Sequence, residues 1–352
     1  MERKYVAMDV HFATTVSVVV DSDGKQLMNT VLKTEGGPIR DYLKGLSGPV
    51  WLTFEEGTMA AWLYEITEPL VEKLVVCNPR QNRLLKKGNK SDKIDAAKLA
   101  ELLRLGALKP VYHKRHSVSE LKERVAIYGQ LTEDRTRVIN RLRAVFRSQS
   151  MKMTLEEEKR EETLKQLVSE AGRERAELLF AELDGLDKLQ LAARKKMEQE
   201  AKKHPDYRLL QTMPGVSTIR AAQLLAWGVT PHRFRTKRQF WSYCGLSVVT
   251  RSTADHEVRE GGIVARRRKA PATRGLTPDY HHGLKGLFKG AALDCLKNKE
   301  IRPLYDRLVA RGLNDSIARV QLARKLAAGC LAIWKSGKEF NNERLIQVSD
   351  KK

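Results

Sequence analysis

Residues 117–204 contain no proline and only three glycines, and Glu, Lys, Arg, Leu and Ala dominate them. A stretch that long, without helix breakers and without strand-like alternation, can become compact only as long helices. Leu121, Val125, Tyr128, Leu131, Val138 and Leu142 recur at helical spacing and predict one helix. Residues 155–203 predict another, with a break expected at Asp184-Gly185. A helical hairpin or coiled-coil arm is therefore expected over 116–205, acting as a spacer between the segments on either side of it; a solvated helical bundle without functional reach is the plainer alternative.

The N-terminal segment, residues 1–115, reads as α/β. Lys4 to Val10 and Thr15 to Val20 are β-branched runs, Asp23-Gly24 is a hairpin turn, and Gln26 to Thr34 is a third strand. Next come a short helix over Ile39 to Lys44, a buried strand over Val50 to Phe54, a helix over Met59 to Leu70, a strand over Leu74 to Val76 and a helix over Lys93 to Gly106. Three antiparallel strands and then alternating helices and strands is the order of a ribonuclease H-like domain. After the helical stretch, residues 206–300 return to mixed composition with Gly, Pro and Arg clusters, and residues 301–352 close the chain with helices.

Lys and Arg number 65 against 43 Asp and Glu, a net charge of +22, so the chain attracts polyanions. A merely solvated or ribosome-associated basic surface is the bland reading of that charge. Arg266, Arg267, Arg268 and Lys269 concentrate it in an expected exposed loop around Pro271. Cys77, Cys244, Cys295 and Cys330 show no CxxC spacing, which argues against a zinc site or a disulfide framework. No run reaches the roughly 18 apolar residues that span a bilayer, and the N-terminus runs straight into a strand; a cytoplasmic protein is expected.

Phosphoryl transfer with two metal ions needs three or four carboxylates that converge, because hard divalent cations take oxygen ligands. Asp9 is a charge set among apolar strand neighbours, where burial is costly unless a partner or metal offsets it, although strand ends also carry exposed aspartates. Glu55 and Glu56 come directly after a buried strand, and alternation turns only one of them inward. Asp92 and Asp95 stand three apart at a helix start, where ordinary capping would also place them.

Met8-Asp9-Val10, the Glu55 strand end, Asn78-Pro79 and Lys90-Ser91-Asp92-Lys93-Ile94-Asp95-Ala96 together resemble the Asp-Glu-Asp-Asp transposases of insertion-sequence family one hundred and ten. The resemblance implies a RuvC-like N-terminal domain, a mainly α C-terminal transposase domain, and Asp9, Glu55, Asp92 and Asp95 as ligands of magnesium, a pair of ions in the family's chemistry, with Glu56 a live alternative to Glu55. Leu209 to Ala222, with Met213-Pro214-Gly215-Val216, resembles the family's second domain and a helix-hairpin-helix, whose turn at Gly215 would aim backbone N–H groups at a DNA phosphate. Tyr243-Cys244-Gly245-Leu246 matches the family's run toward Gly-Leu. Relatives carry a serine a few residues later, proposed to join covalently to DNA; the matching position is Ser252, beside Arg251, with Ser247 and Thr253 as rivals. The family's further implications are DNA as substrate, a structured non-coding guide RNA, and assembly as a dimer or tetramer. A Holliday-junction-type endonuclease would share the acids without a use for Ser252, and a non-enzymatic nucleic-acid scaffold would use only the charge. His281-His282 has no zinc-like spacing to other ligands and reads as a loop or nucleic-acid-facing pair.

Overall fold

A computed structural model describes residues 2–79, 91–113, 118–251, 256–259, 262–265 and 273–341, with the backbone alone at 250, 251, 256–259, 263–265, 273 and 274. The chain forms two compact units, Met1–His116 and Ser117–Lys352.

The first unit is built on a five-stranded sheet. Its strands are β1 (Lys4–Val10), β2 (Thr14–Val20), β3 (Gln26–Lys33), β4 (Val50–Glu55) and β5 (Lys73–Cys77), in the order β3-β2-β1-β4-β5. β1, β2 and β3 pair antiparallel, whereas β4 and β5 continue the sheet in parallel from β1. The Asp23-Gly24 turn forms as expected: Gly24 takes φ +87°, and the Asp21 carboxylate accepts from the Asp23 and Lys25 amides at 3.0 and 2.8 Å. Helices α1 (Gly36–Lys44) and α2 (Ala60–Thr67) cover one face, burying Val6, Met8, Ile39, Leu52, Phe54 and Leu63. Helix α3 (Asp92–Arg104) covers the other, burying Ala7, Val16, Val18, Ala96, Leu99 and Leu103. The sheet is thus apolar on both sides at its centre, which is why β1 reads as a continuous hydrophobic run up to Asp9.

The second unit opens with α4 (Ser119–Arg147), α5 (Glu157–Lys165) and α6 (Glu170–Ala201). α4 and α6 pack along each other through Val138, Leu142, Phe146, Ala176, Phe180 and Leu183, and Gln190 donates to Thr132 Oγ1 across the pair at 2.8 Å. The expected break at Asp184-Gly185 does not occur, and α6 runs through it. Leu183 is buried against α4, and Asp184 accepts from the Arg160 guanidinium of α5 at 2.7 Å, so tertiary contacts outweigh a glycine cost of about 1 kcal/mol. The chain breaks instead before Ser169, whose hydroxyl caps α6 by accepting from the Gly172 amide.

The remainder is α7 (Asp206–Gln211), α8 (Thr218–Gly228), α9 (Lys237–Tyr243), α10 (His282–Cys295), α11 (Arg302–Ala310) and α12 (Asp315–Ser336). Between α9 and α10 the described residues include four short strands that a mainly helical expectation did not contain: β6 (Val248–Arg251) pairs with β9 (Thr273–Leu276), and β7 (His256–Arg259) with β8 (Gly262–Ala265). Four-residue strands rich in Thr, Arg and Gly carry too little apolar alternation to be read from sequence. The helices share one core with the near ends of α4 and α6, through Leu121, Val125, Met197, Phe240, Phe288 and Leu326. Among the described residues, no helix is long and apolar enough to cross a membrane.

Candidate metal centre and nucleic-acid surfaces

Asp9 is the penultimate residue of the central strand β1. Alternation sends Tyr5, Ala7 and Asp9 to the face covered by α3. The stripe that α3 lays on this face runs Asp92, Asp95, Ala96, Leu99, Leu103: apolar where the sheet is apolar, and acidic where β1 ends. Sheet and helix therefore deliver Asp9 and Asp92 to one place. The Ser91 hydroxyl fixes the start of α3 by accepting from the Ile94 amide at 3.3 Å, so the N-cap is serine and the two aspartates are left to the first turn.

A third group joins them. His11 lies just past the end of β1, and its Nε2 is 3.6 Å from Asp9 Oδ2 and 3.7 Å from Asp92 Oδ2. One donor atom from each of Asp9, His11 and Asp92 lies within 4.8 Å of the other two, close enough for a single cation to touch all three. Sequence reasoning missed His11. The signal was the two-residue spacing from Asp9, which puts both on one face of an extended chain.

Glu55 and Asp95 are not part of that group of three. Glu55 ends β4, in register with Cys77, whose side chain is buried under α3; one residue earlier Phe54 pairs with Val76 and Met8. Glu55 is thus on the α3 side, one step past the last β1–β4 pair, as Asp9 is on β1. Glu56 alternates away, and its carboxylate is hydrogen-bonded to His113 Nε2, whose ring leans on Tyr64 with centroids 5.5 Å apart. Of the two glutamates, only Glu55 shares the face of the aspartates. Asp95 has a buried Oδ1 with no hydrogen-bond partner among the described residues. A buried carboxylate oxygen left in that state costs several kcal/mol unless a cation or water reaches it. The donor set of carboxylates and one imidazole fits a divalent metal ion.

Two family models match this chain: a transposase family of Asp-Glu-Asp-Asp type, DEDD_Tnp_IS110, over residues 6–150, and the transposase IS116/IS110/IS902 family over residues 207–270. Together they cover more than half of the 352 residues. The chain belongs to the IS110 family of transposases. It is also 25% identical over 191 residues to the transposase for insertion sequence element IS1111A of Coxiella burnetii (strain RSA 493 / Nine Mile phase I). That similarity spans 52% of this chain and 52% of the relative, about half the length of each.

The second family segment begins in α7 and takes in the α7–α8 turn. Gly215 there has φ +72°, and a Cβ on it would lie 2.6 Å from the Ala291 carbonyl oxygen of α10. Only glycine allows both the left-handed backbone and the close approach. Arg220 Nη1 donates to the Gly215 carbonyl at 2.7 Å and pairs with Asp294, and these residues line a cavity of about 520 Å³ with Ser217, Asn298 and Phe340. Gly245 is explained in the same way, with φ +65° and the Tyr280 ring 2.5 Å from where its Cβ would be.

His281 stands at the start of α10, with His282 as the helix's first residue. It is the N-cap of α10, its Nδ1 accepting from the Leu284 amide at 3.2 Å, and its ring packs near Trp227 and Tyr243. Burial, and then the positive charges of Arg233, His282 and Lys122, hold its pKa below the ordinary value of 6.5.

Ser247 precedes β6, its carbonyl accepting from the Thr277 amide at 2.9 Å. Arg251 ends β6. Ser252, Thr253, Arg266, Arg267, Arg268 and Lys269 lie outside the described residues. All four cysteines are buried thiols outside any disulfide, and burial raises the pKa values of Cys244 and Cys330 and pushes Cys295 up to about 11. These three are therefore poor nucleophiles at neutral pH.

Proposed function

We propose that this chain is the transposase of an insertion sequence, which cuts and rejoins DNA strands with the help of divalent metal ions held by Asp9, Glu55, Asp92 and Asp95. The observation that carries the reading is the meeting of Asp9 from β1 with Asp92 from α3, in a chain whose two matched segments both belong to transposases. Magnesium bound there would polarise a phosphodiester and stabilise the charge that develops on its oxygens. The protein's own part is to hold the carboxylates on a rigid strand and a capped helix, so that little reorganisation accompanies the reaction.

Ser252 is the proposed nucleophile. Its hydroxyl oxygen, giving up a proton, bonds to phosphorus as the deoxyribose oxygen leaves and takes a proton; the phosphoserine ester keeps the bond energy for resealing. Arg251 and the Arg266, Arg267, Arg268 and Lys269 cluster contact phosphates, and the Gly215 turn presents a further phosphate contact. Residues 116–205 act as a coiled-coil spacer between catalytic and C-terminal domains. The partners are DNA and a structured non-coding guide RNA, which the net charge of +22 suits, and the working form is a homo-oligomer in the cytoplasm.

The test is a recombination reaction with the full chain, Mg²⁺ and DNA carrying the ends of the element, together with its flanking transcript. Wild type should give recombinant DNA and a denaturant-resistant protein–DNA adduct, and Ser252→Ala should give neither while still binding DNA. An adduct that persists in Ser252→Ala and maps to Ser247 or Thr253 moves the nucleophile; a wild type that recombines without any adduct removes the serine mechanism.

A further inference from the structure

We infer that His11 is a nitrogen ligand of the metal site, joining Asp9 and Asp92, and that it tilts the site toward first-row transition ions such as Mn²⁺ relative to Mg²⁺. This rests on the reading of Asp9 and Asp92 as metal ligands and adds a donor of another chemical type. Three observations carry it. His11 Nε2 is almost equidistant from the two carboxylates, at 3.6 and 3.7 Å, so the ring is aimed between them and is hydrogen-bonded to neither in the usual range.

The backbone that carries the ring is fixed. The His11 amide donates to the Thr14 carbonyl at 3.0 Å, and its carbonyl accepts from Thr34 Oγ1 at 2.7 Å, while Thr34 Oγ1 also lies 2.9 Å from Thr15 Oγ1 of β2. Anchoring of this kind is what a ligand position needs, because a donor on a loose turn would have to be ordered at each binding event. Finally, the ring is half exposed, so an ion can reach it from solvent.

Ligand type sets the consequence. Carboxylates alone suit Mg²⁺, Ca²⁺ and Mn²⁺, whereas imidazole adds affinity for transition ions and little for Mg²⁺, which keeps its waters and oxygen ligands. Removing the ring should therefore change the selectivity more than the capacity to bind.

The experiment uses the full-length, tag-free protein with Mn²⁺ as the probe. Electron spin-echo modulation on the bound ion should show ¹⁴N coupling in wild type. The coupling should convert to the ¹⁵N pattern when the histidines are labelled, vanish in His11→Ala and persist in His113→Ala. Calorimetry should show the Mn²⁺ dissociation constant rising about tenfold in His11→Ala, on the scale of losses seen when a metal site's histidine support is removed, with a smaller change for Mg²⁺. Mn²⁺ that binds in an Asp9-dependent way without nitrogen coupling would overturn the ligand role of His11 and leave the carboxylate site standing. Coupling that survives His11→Ala and disappears in His113→Ala would assign the nitrogen elsewhere. No Mn²⁺ bound by wild type would overturn both readings.

Discussion

The two units treat their conspicuous residues in opposite ways. In the sheet unit, Asp9, Asp92 and Asp95 lie at the ends of stripes that are otherwise apolar and belong to no apolar cluster, and Asp95 leaves a buried oxygen without a hydrogen-bond partner among the described residues. In the helical unit, Gly215, Gly245 and His281 all have a structural reason to be where they are. The glycines admit the Ala291 backbone and the Tyr280 ring, and the histidine caps α10. Residues that the fold does not explain are candidates for chemistry, whereas those it does explain need an independent argument before a functional role is added.

The largest effect that can sharpen this contrast is expected at Asp9. Asp9→Asn removes a metal charge, and losing several kcal/mol of transition-state stabilisation at about 1.4 kcal/mol per tenfold costs roughly a thousandfold in recombination rate. The side chain is not part of an apolar cluster, so the melting temperature should stay within about 3 °C of wild type. Full recombination activity in Asp9→Asn, measured by product formation over time, would remove the metal-site reading. A collapse in stability would mean that Asp9 belongs with the packing residues after all.

Gly215→Ala is the counterpart in the helical unit. The added methyl meets the Ala291 oxygen in a backbone conformation that L residues rarely adopt, so about 3 kcal/mol is lost, or roughly 6–12 °C in melting temperature. Thermal unfolding monitored by circular dichroism checks it. If the variant melts like wild type but loses DNA affinity, the turn is a phosphate contact first and a packing device second.

The contrast also decides what could be read from sequence. The order of elements in residues 1–115 was legible because β-branched runs, the Asp23-Gly24 turn and the α3 periodicity are local signals, and the carboxylates stood out because charge inside such runs is rare. Their convergence was not local: Asp9 and Asp92 are brought together by the covering of one sheet face, and His11 became visible only with them. In the helical unit, the long helices were legible from composition. The continuity of α6 through Asp184-Gly185 was not, because it depends on the packing of Leu183 against α4 and on Arg160 of α5. Nor were the four short strands, whose pairing partners lie up to 28 positions apart, as in Val248 with Leu276. The close packing of Gly215 on Ala291 is a contact between α10 and a distant turn, so the sequence offered only the motif that contained it.

A smaller effect asks where the polyanion-binding charge of the helical unit resides. Replacing Arg266, Arg267 and Arg268 with glutamine should flatten the log–log dependence of DNA affinity on salt by up to about 3, one released counterion per phosphate contact. Fluorescence anisotropy titrations from low to moderate salt measure the slope. An unchanged slope would place the contacts on other basic residues of the chain.

The smallest effect concerns His281, and it distinguishes a buried cap from a surface group by pH alone. Its pKa in the folded protein is below 6.5 because burial disfavours the charged ring, with Arg233, His282 and Lys122 adding to the penalty. Above pH 6.5 the ring is neutral in both folded and unfolded chains and contributes no pH dependence. As the pH falls below 6.5 the unfolded chain takes up a proton that the folded one refuses, so stability decreases, and the decrease ends once the pH passes the folded-state pKa. His281→Asn keeps a side-chain acceptor for the Leu284 amide and deletes the titration, although it also loses ring contacts with Trp227 and Tyr243. Urea unfolding of both proteins from pH 7.5 to 5.0 should therefore give a stability difference that is constant at the upper end and shrinks below pH 6.5, as wild type loses stability that the variant does not. A difference that stays constant across the whole range would mean that His281 protonates as readily in the folded protein as in the unfolded chain, and would return it to the surface role that its sequence context suggests.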